Sequence, residues 1–417
     1  MALIKHYCRL FLLIVALLPL AAYADDPAAA TDDEPFAATQ KELADKGIKL
    51  QFSNITDVMA DLSGGNKQGT AILNSIGGEI SLDAMKAFNL EGVTAEMSFL
   101  QTNGELPNRS LVGALQRVDN MEPYHGGFEV YQVYVQKNWQ GDKYSLLGGV
   151  YDLSNEFYST DSSDLFLNYG LELGTELAAT GNHGPAIFPT SSPSIRFKSN
   201  DEGWYLQTAL SDGINGNPED VRTESLRLSN HSNALLIGET GYNDKTKDMT
   251  TEKWAIGTWR YTTDIGNFIH HDSQRNADFS VSEGVYMLSE HLFYNPKPGT
   301  GEGLRGFFRI GFADSNASRV DYSWSSGMVY TGLIPQEEKG QLGFTVSQAH
   351  NSNRYLDSLQ ALGLDADKEE TLFEFTYHAP ILPWLSVQPD AQYIVNPDTV
   401  GDTKNAMVIG SRVEVDF

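Results

Sequence analysis

Three groups of side chains in this sequence are spaced so that they could do chemistry. His270-His271-Asp272 has the residue types of a metal site or of part of a catalytic triad. It stands, however, in a polar connector with no second ligand cluster and no nucleophile elbow nearby. The acidic run Asp365, Asp367, Glu369 and Glu370 lacks the glycine and terminal glutamate spacing of a calcium loop and reads as a solvated connector. Cys8 is the only cysteine, so an intrachain disulfide and cysteine-based zinc or iron-sulfur sites are excluded. No catalytic residue, metal ligand or cofactor is expected, and the chain is not read as an enzyme.

The second group recurs at every other residue. Gln132 and Tyr134, Arg196 and Lys198, Arg305 and Arg309, Glu374, Asp390 and Gln392, and Arg412 all stand opposite apolar neighbours in extended segments. Planar guanidinium, carboxylate and amide groups hydrogen-bond vicinal hydroxyls, and an aromatic face such as that of Tyr134 stacks on the C–H face of a sugar. Lining a wet passage, this set suits a neutral polyol. Its bland alternative is that the charges pair with one another across the interior and hold the wall in shape. The third group lies in a long connector, where Asn108 to Val118 is expected to form a short helix carrying Arg109 and Arg117. Folded inward it would narrow a wide passage and present Arg117 to it. Folded outward it would do neither, and periodicity does not choose between the two.

The elements that must position these groups are strands. From Ile48 onward sixteen segments of mostly alternating apolar and polar residues are separated by Gly, Asn, Asp and Pro clusters. They lie near 48–60, 70–83, 91–101, 128–139, 143–152, 193–199, 203–210, 233–243, 252–263, 281–293, 303–313, 321–334, 340–350, 370–379, 384–395 and 405–417. In the last, Met407, Ile409, Ser411, Val413, Val415 and Phe417 share one face, and Arg412, Glu414 and Asp416 share the other. A soluble sandwich gives the same alternation. Three features favour a closed membrane barrel: an even strand number, strands long enough to cross at a tilt, and connectors that alternate between tight and long. Aromatic residues also gather at segment ends, at Trp139, Tyr144, Trp204, Tyr205, Trp254, Tyr261, Phe293, Tyr294, Tyr377 and Trp384, as a lipid–water girdle requires.

The chain begins with Lys5 and Arg9, an apolar run from Leu10 to Leu20 and Ala22-Tyr23-Ala24, the pattern of a cleaved secretory signal over residues 1–24. Residues 25–47 form an acidic segment ending in a short helix capped by Gly47, and residues 48–417 form the barrel domain. Twenty-nine basic against fifty-five acidic residues give a formal charge of −26, which sets nucleic acid aside because phosphate backbones need clustered cations.

Several stretches together resemble the carbohydrate-selective outer-membrane porins of the OprB type. The most specific runs from Pro383-Trp384-Leu385-Ser386-Val387-Gln388-Pro389 to Asn396-Pro397, followed by Val408-Ile409-Gly410-Ser411-Arg412 and terminal Phe417. Asn155-Glu156-Phe157, Ala234 to Tyr242, Gly303 to Gly311 and Tyr330-Thr331-Gly332-Leu333-Ile334-Pro335 continue the likeness over most of the chain. The resemblance implies an all-β, sixteen-stranded antiparallel transmembrane barrel with a short N-terminal helix and long extracellular loops. It further implies a multi-pass protein of the Gram-negative outer membrane that lets glucose-like mono- and small oligosaccharides diffuse into the periplasm. Expected partners are sugar solutes, outer-membrane lipid and lipopolysaccharide, and the assembly machinery that reads a last strand ending in Phe417; a homo-trimer stays open. The alternatives are a general diffusion porin, a barrel enzyme acting on lipids, and a soluble periplasmic sugar binder.

Overall fold

The computed structural model describes residues 37–123, 126–180, 184–213, 234–246, 249–262, 281–334 and 339–416. The signal segment 1–24, His270-His271-Asp272 and Phe417 lie outside the described residues. Helix α1, Ala37–Asp45, belongs to an N-terminal unit of its own that ends at Lys46. Gly47 follows with φ +82°, and a Cβ there would sit 2.5 Å from the Asp83 carbonyl oxygen, so the chain can enter the first strand at this point only as glycine.

Sixteen strands follow: β1 (Ile48–Gly65), β2 (Gly69–Asp83), β3 (Val93–Gly104), β4 (Gly127–Trp139), β5 (Tyr144–Tyr151), β6 (Ser192–Asp201), β7 (Trp204–Asp212) and β8 (Ala234–Thr246). The second half comprises β9 (Met249–Tyr261), β10 (Glu283–Tyr294), β11 (Gly303–Ala313), β12 (Val320–Thr331), β13 (Gln341–Asn351), β14 (Glu369–Leu382), β15 (Leu385–Val395) and β16 (Lys404–Asp416). Each pairs antiparallel with its sequence neighbours, and β1 pairs with β16 through registers such as Thr56 with Val413, closing the barrel. Closure is the physical condition for crossing lipid with strands, because no edge N–H or C=O is left unpaired in the hydrocarbon. Among the described residues no helix is long and apolar enough to cross a membrane.

Parity decides which face each side chain takes. On β2, Ala71, Leu73 and Ser75 point inward and are buried, whereas Ile72, Ile76 and Ile80 point outward, Ile72 being 54% exposed. Leu206, Leu210, Leu236, Ile256, Val285, Phe312, Phe344 and Phe375 continue this outward apolar surface around the barrel. A continuous surface of that kind is expelled by water and matched by lipid. Trp204 contacts Trp254 and Tyr242 at ring distances of 5.1 and 5.6 Å, and Trp139 stacks on Tyr144 at 5.8 Å, forming a girdle at the short-turn end. Tyr205 and Tyr261, expected in the girdle, are instead buried inside, one residue out of phase with Trp204 and an odd number of residues from Trp254.

Candidate functional site

The interior is not an open tube. Residues 105–123, between β3 and β4, and 152–180 and 184–191, between β5 and β6, fold back into it. In one part Leu153, Phe157, Tyr158, Leu173, Leu177 and Ile187 of the second loop pack on wall residues Leu147, Tyr205, Leu235, Ile237, Trp259, Tyr286 and Leu288. In another, Leu111, Val112 and Val118 of the first loop and Leu165, Phe166 and Leu171 of the second pack on Met59, Ala71, Phe307, Val329, Leu372, Ile394 and Val408. At about 1.5–3 kcal/mol for each large apolar side chain removed from water, Phe157, Leu173, Leu177 and Ile187 alone contribute on the order of 10 kcal/mol of adhesion. These loops are part of the folded core rather than mobile flaps. The wall makes room for them: a Cβ on inward-facing Gly311 would lie 1.8 Å from Glu176 Oε1 and 2.6 Å from Tyr158 Oη.

Polar contacts fix the seat. Carboxylates on the wall accept hydrogen bonds from consecutive backbone amides of the loops. Glu290 receives Asp161 N at 3.0 Å and Ser162 N at 2.8 Å, and Glu374 receives Leu167 N at 2.6 Å and Asn168 N at 3.3 Å. Glu370 receives Leu115 N at 2.8 Å and Gln116 N at 2.7 Å. Pairs of adjacent N–H groups form concave anion seats, and each wall carboxylate fills one. Glu370, read from the sequence as part of a solvated connector, is fully buried: the parity of β14 turns it inward beneath the first loop.

The inward residues expected from the sequence divide into two sets. Arg309 is 1% exposed and donates to Ser325 Oγ, Tyr158 O and Gly170 O. Gln392 donates to Val118 O at 2.8 Å and accepts from Asn168 Nδ2, while Gln132 accepts from Asp152 N at 3.0 Å. Arg412 makes a two-pronged pair with Asp57 and donates to Asn120 Oδ1 at 2.7 Å, tying the first loop to the β1–β16 seam. Arg196 binds Glu156, Ser145 and Gln136. Arg305, bonded to Gly301 O, and Glu374 and Asp390 are likewise buried. Seven of these side chains are buried, and Arg412, with 11% of its side chain exposed, is held between Asp57 and Asn120. Tyr134 and Lys198 form the second set and remain partly exposed, Tyr134 donating to Glu96 at 2.5 Å and Lys198 pairing with Glu156 at 3.4 Å.

The first loop does fold inward, but as one wide helical turn, Asn108–Val112, closed by Gly113 N on Asn108 O at 2.7 Å. The buried Glu122 carboxylate caps it by accepting from Asn108 N at 2.6 Å and Arg109 N at 3.1 Å. Arg117 donates to Glu122 O at 2.7 Å and stacks its guanidinium 3.8 Å above the Tyr169 ring. Together with Gln116, Thr175 and Asp398, these residues line a cavity of about 360 Å³, near the lower end of the roughly 300–1,000 Å³ of small-molecule sites. Sequence reasoning reached Arg109 and Arg117 and missed Tyr169, Glu122 and Asp398. One signal was available: Phe157, Leu165, Phe166, Leu171, Leu173 and Leu177 are too apolar for a connector in water.

The second loop carries carboxyls out of water. Burial pushes Asp152 up to about 7, despite hydrogen bonds from Tyr131 and Ser154 that favour its charged form. Burial likewise takes Glu176 up to about 7. Asp119 of the first loop is raised by burial and by the Asp57 charge, against the pull of Arg412. Glu156 is lowered: burial acts upward on it, but Lys198 and Arg196 outweigh that.

The profile of the carbohydrate-selective porins, OprB family, matches residues 67–417. This chain belongs to that family. It is 20% identical to Porin B of Pseudomonas aeruginosa, covering 95% of this chain and 93% of that one. Among solved structures it is similar to the high-pH structure of Pseudomonas putida OprB, with a TM-score of 0.80 and 18% identity over 92% of this chain and 97% of that one. The low-pH structure of the same protein superposes with a TM-score of 0.59 and 14% identity, over 95% and 100%. As a member of the OprB family the chain is a passive carbohydrate porin of the Gram-negative outer membrane, and its sixteen-stranded closed barrel is the fold of the solved structures.

Proposed function

We propose that this porin passes neutral, glucose-like monosaccharides and small oligosaccharides into the periplasm, and that the cavity between the two inward loops is where they are recognised. The observation that carries this reading is Arg117 stacked on Tyr169 and held by Glu122 O. A guanidinium fixed flat on a ring presents its edge N–H donors in a set plane, matched to vicinal hydroxyls, with little ordering left to lose. Arg109 and Asp398, in the same cavity lining, supply a second donor and an acceptor. Further along, Tyr134 and Lys198 offer weaker contacts on the part of the wall that the loops leave partly exposed. Weak successive sites suit a pore, since one tight site would retain its solute. In this reading Gln132, Arg196, Arg305, Arg309, Glu374, Asp390, Gln392 and Arg412 act on the sugar only through the loops and walls they hold.

Binding and diffusion, with no chemical step, account for every group in the cavity. Export by residues 1–24, insertion through a last strand ending in Phe417 and an outer surface facing lipid and lipopolysaccharide complete the proposal. The test is a flux series in liposomes with glucose, a disaccharide and size-matched solutes that lack hydroxyl groups. Faster passage of sugars than of matched solutes lacking hydroxyl groups supports recognition; passage ordered by size alone would make the chain a general diffusion pore.

A further inference from the structure

Two sides of the recognition cavity come from segments more than 250 residues apart, and one side chain that does not line it joins them. The Glu370 carboxylate is fully buried and accepts from Leu115 N and Gln116 N on one side and from Asp398 N, at 2.7 Å, on the other. Oxygen Oε2 is shared, taking both Leu115 N and Asp398 N, so the bridge between the two segments is a single atom. Leu115, Gln116 and Asp398 are all cavity-lining residues. The Asp398 side needs such an anchor. Asn396, Asp398 and Thr399 have φ of 54°, 59° and 64°, and a β-branched threonine in the left-handed region persists only where its surroundings over-determine it. Thr399 is fixed by Asn351 Nδ2 on its hydroxyl at 2.6 Å, and Asp398 by Arg319 and Glu370.

We propose that Glu370 is the positioning residue that sets the width of the cavity and the placement of Arg117 within it, so that sugar selectivity depends on a carboxylate the sugar never touches. This rests on reading the cavity as the recognition site. Glutamine is nearly the same shape but has one acceptor oxygen and one N–H₂. Whichever way its amide turns, at least one buried backbone N–H then faces another donor. Losing a charged acceptor costs the seated arrangement at least about tenfold in population.

The experiment compares Glu370→Gln with Glu290→Gln, which makes the same chemical change at amides of Asp161 and Ser162 that do not line the cavity. Both are reconstituted in planar bilayers after heat-modifiable migration has shown assembly. Three readouts are taken: single-channel conductance, the largest polyethylene glycol that enters, and glucose block of the ion current. Glu370→Gln is expected to raise the polymer cutoff and the current noise and to weaken glucose block about tenfold, with Glu290→Gln leaving glucose block at its original value. Glu370→Asp keeps the charge but shortens the reach by one methylene, and should move the same readouts in the same direction. A raised polymer cutoff with unchanged glucose block would uphold the positioning role and sink the sugar reading of the cavity. Unchanged cutoff and conductance in an assembled Glu370→Gln barrel would overturn the inference. So would equal loss of glucose block in both Gln variants. Failure of both Glu370 variants to assemble would overturn it too, by placing Glu370 in the stability of the wall.

Discussion

Replacing Arg117 by alanine removes a side chain of the first inward loop that stacks on the Tyr169 ring. The guanidinium carbon lies 3.8 Å from the ring centroid, and Nη1 donates to Glu122 O at 2.7 Å. The cation–π contact is worth about 0.5–1 kcal/mol at a partly exposed site. Each hydrogen bond from a charged donor to a sugar hydroxyl, net of the water it replaces, is worth about 1.5 kcal/mol at the lower end of the range for charged groups. If a passing sugar takes one such bond, Arg117→Ala weakens block of the ion current by glucose about tenfold. The Glu122 carboxylate still caps Asn108 N and Arg109 N in the variant, so the loop keeps its turn and the barrel its assembly. Conductance should rise modestly as the cavity gains the volume of the lost side chain. The assay is glucose titration of single-channel current in planar bilayers, with a size-matched solute lacking hydroxyl groups as reference. A rise in conductance with equal change for both solutes would make Arg117 a matter of width alone. An unchanged current for both would remove it from the passage and refute the reasoning.

Other outcomes follow from the same geometry. Arg309→Ala, by removing donors to Tyr158 O and Gly170 O, should loosen the second loop and change the flux of glucose and of a matched non-hydroxylated solute equally; a glucose-specific change would return Arg309 to sugar contact. Asp152 and Glu176 have seated carboxyls raised to about 7 from ordinary values near 4, so the seated loop binds more protons than the released one between those limits. Its stability is therefore full below about pH 4 and lost as pH rises toward 7, by up to about 4 kcal/mol for each group. Current noise should then increase between pH 5 and 8, and noise falling over that interval would reverse the sign of this linkage. Deleting Phe417 is expected to lower the heat-modifiable fraction, measured by gel migration of extracted outer membranes. With a formal charge of −26, more negative by two once Lys5 and Arg9 are removed, the pore should pass cations over anions. Reversal potentials showing strong anion selectivity would mean that Arg109 and Arg117 outweigh the field of the whole protein.

Much of the barrel is legible in the residues alone. Alternation in segments such as 405–417 fixes which residues meet lipid, because a period of two leaves no freedom once one face must be apolar. Sixteen such segments with alternately tight and long connectors leave closure as the way to satisfy their backbone groups in lipid. Arg412, Arg309 and Gln392 were also legible as inward-facing by that parity. Whether an inward side chain meets water is not legible in the sequence, since it depends on where 105–123, 152–180 and 184–191 fold. Those loops carry no period to read, and their placement comes from Glu290, Glu370 and Glu374 meeting amides far away in sequence. The pairing of Arg117 with Tyr169, and the single Glu370 oxygen that joins Leu115 to Asp398, are likewise products of four segments converging. A strand's faces follow from local stereochemistry, whereas a cavity between loops exists only after the chain has folded back on itself.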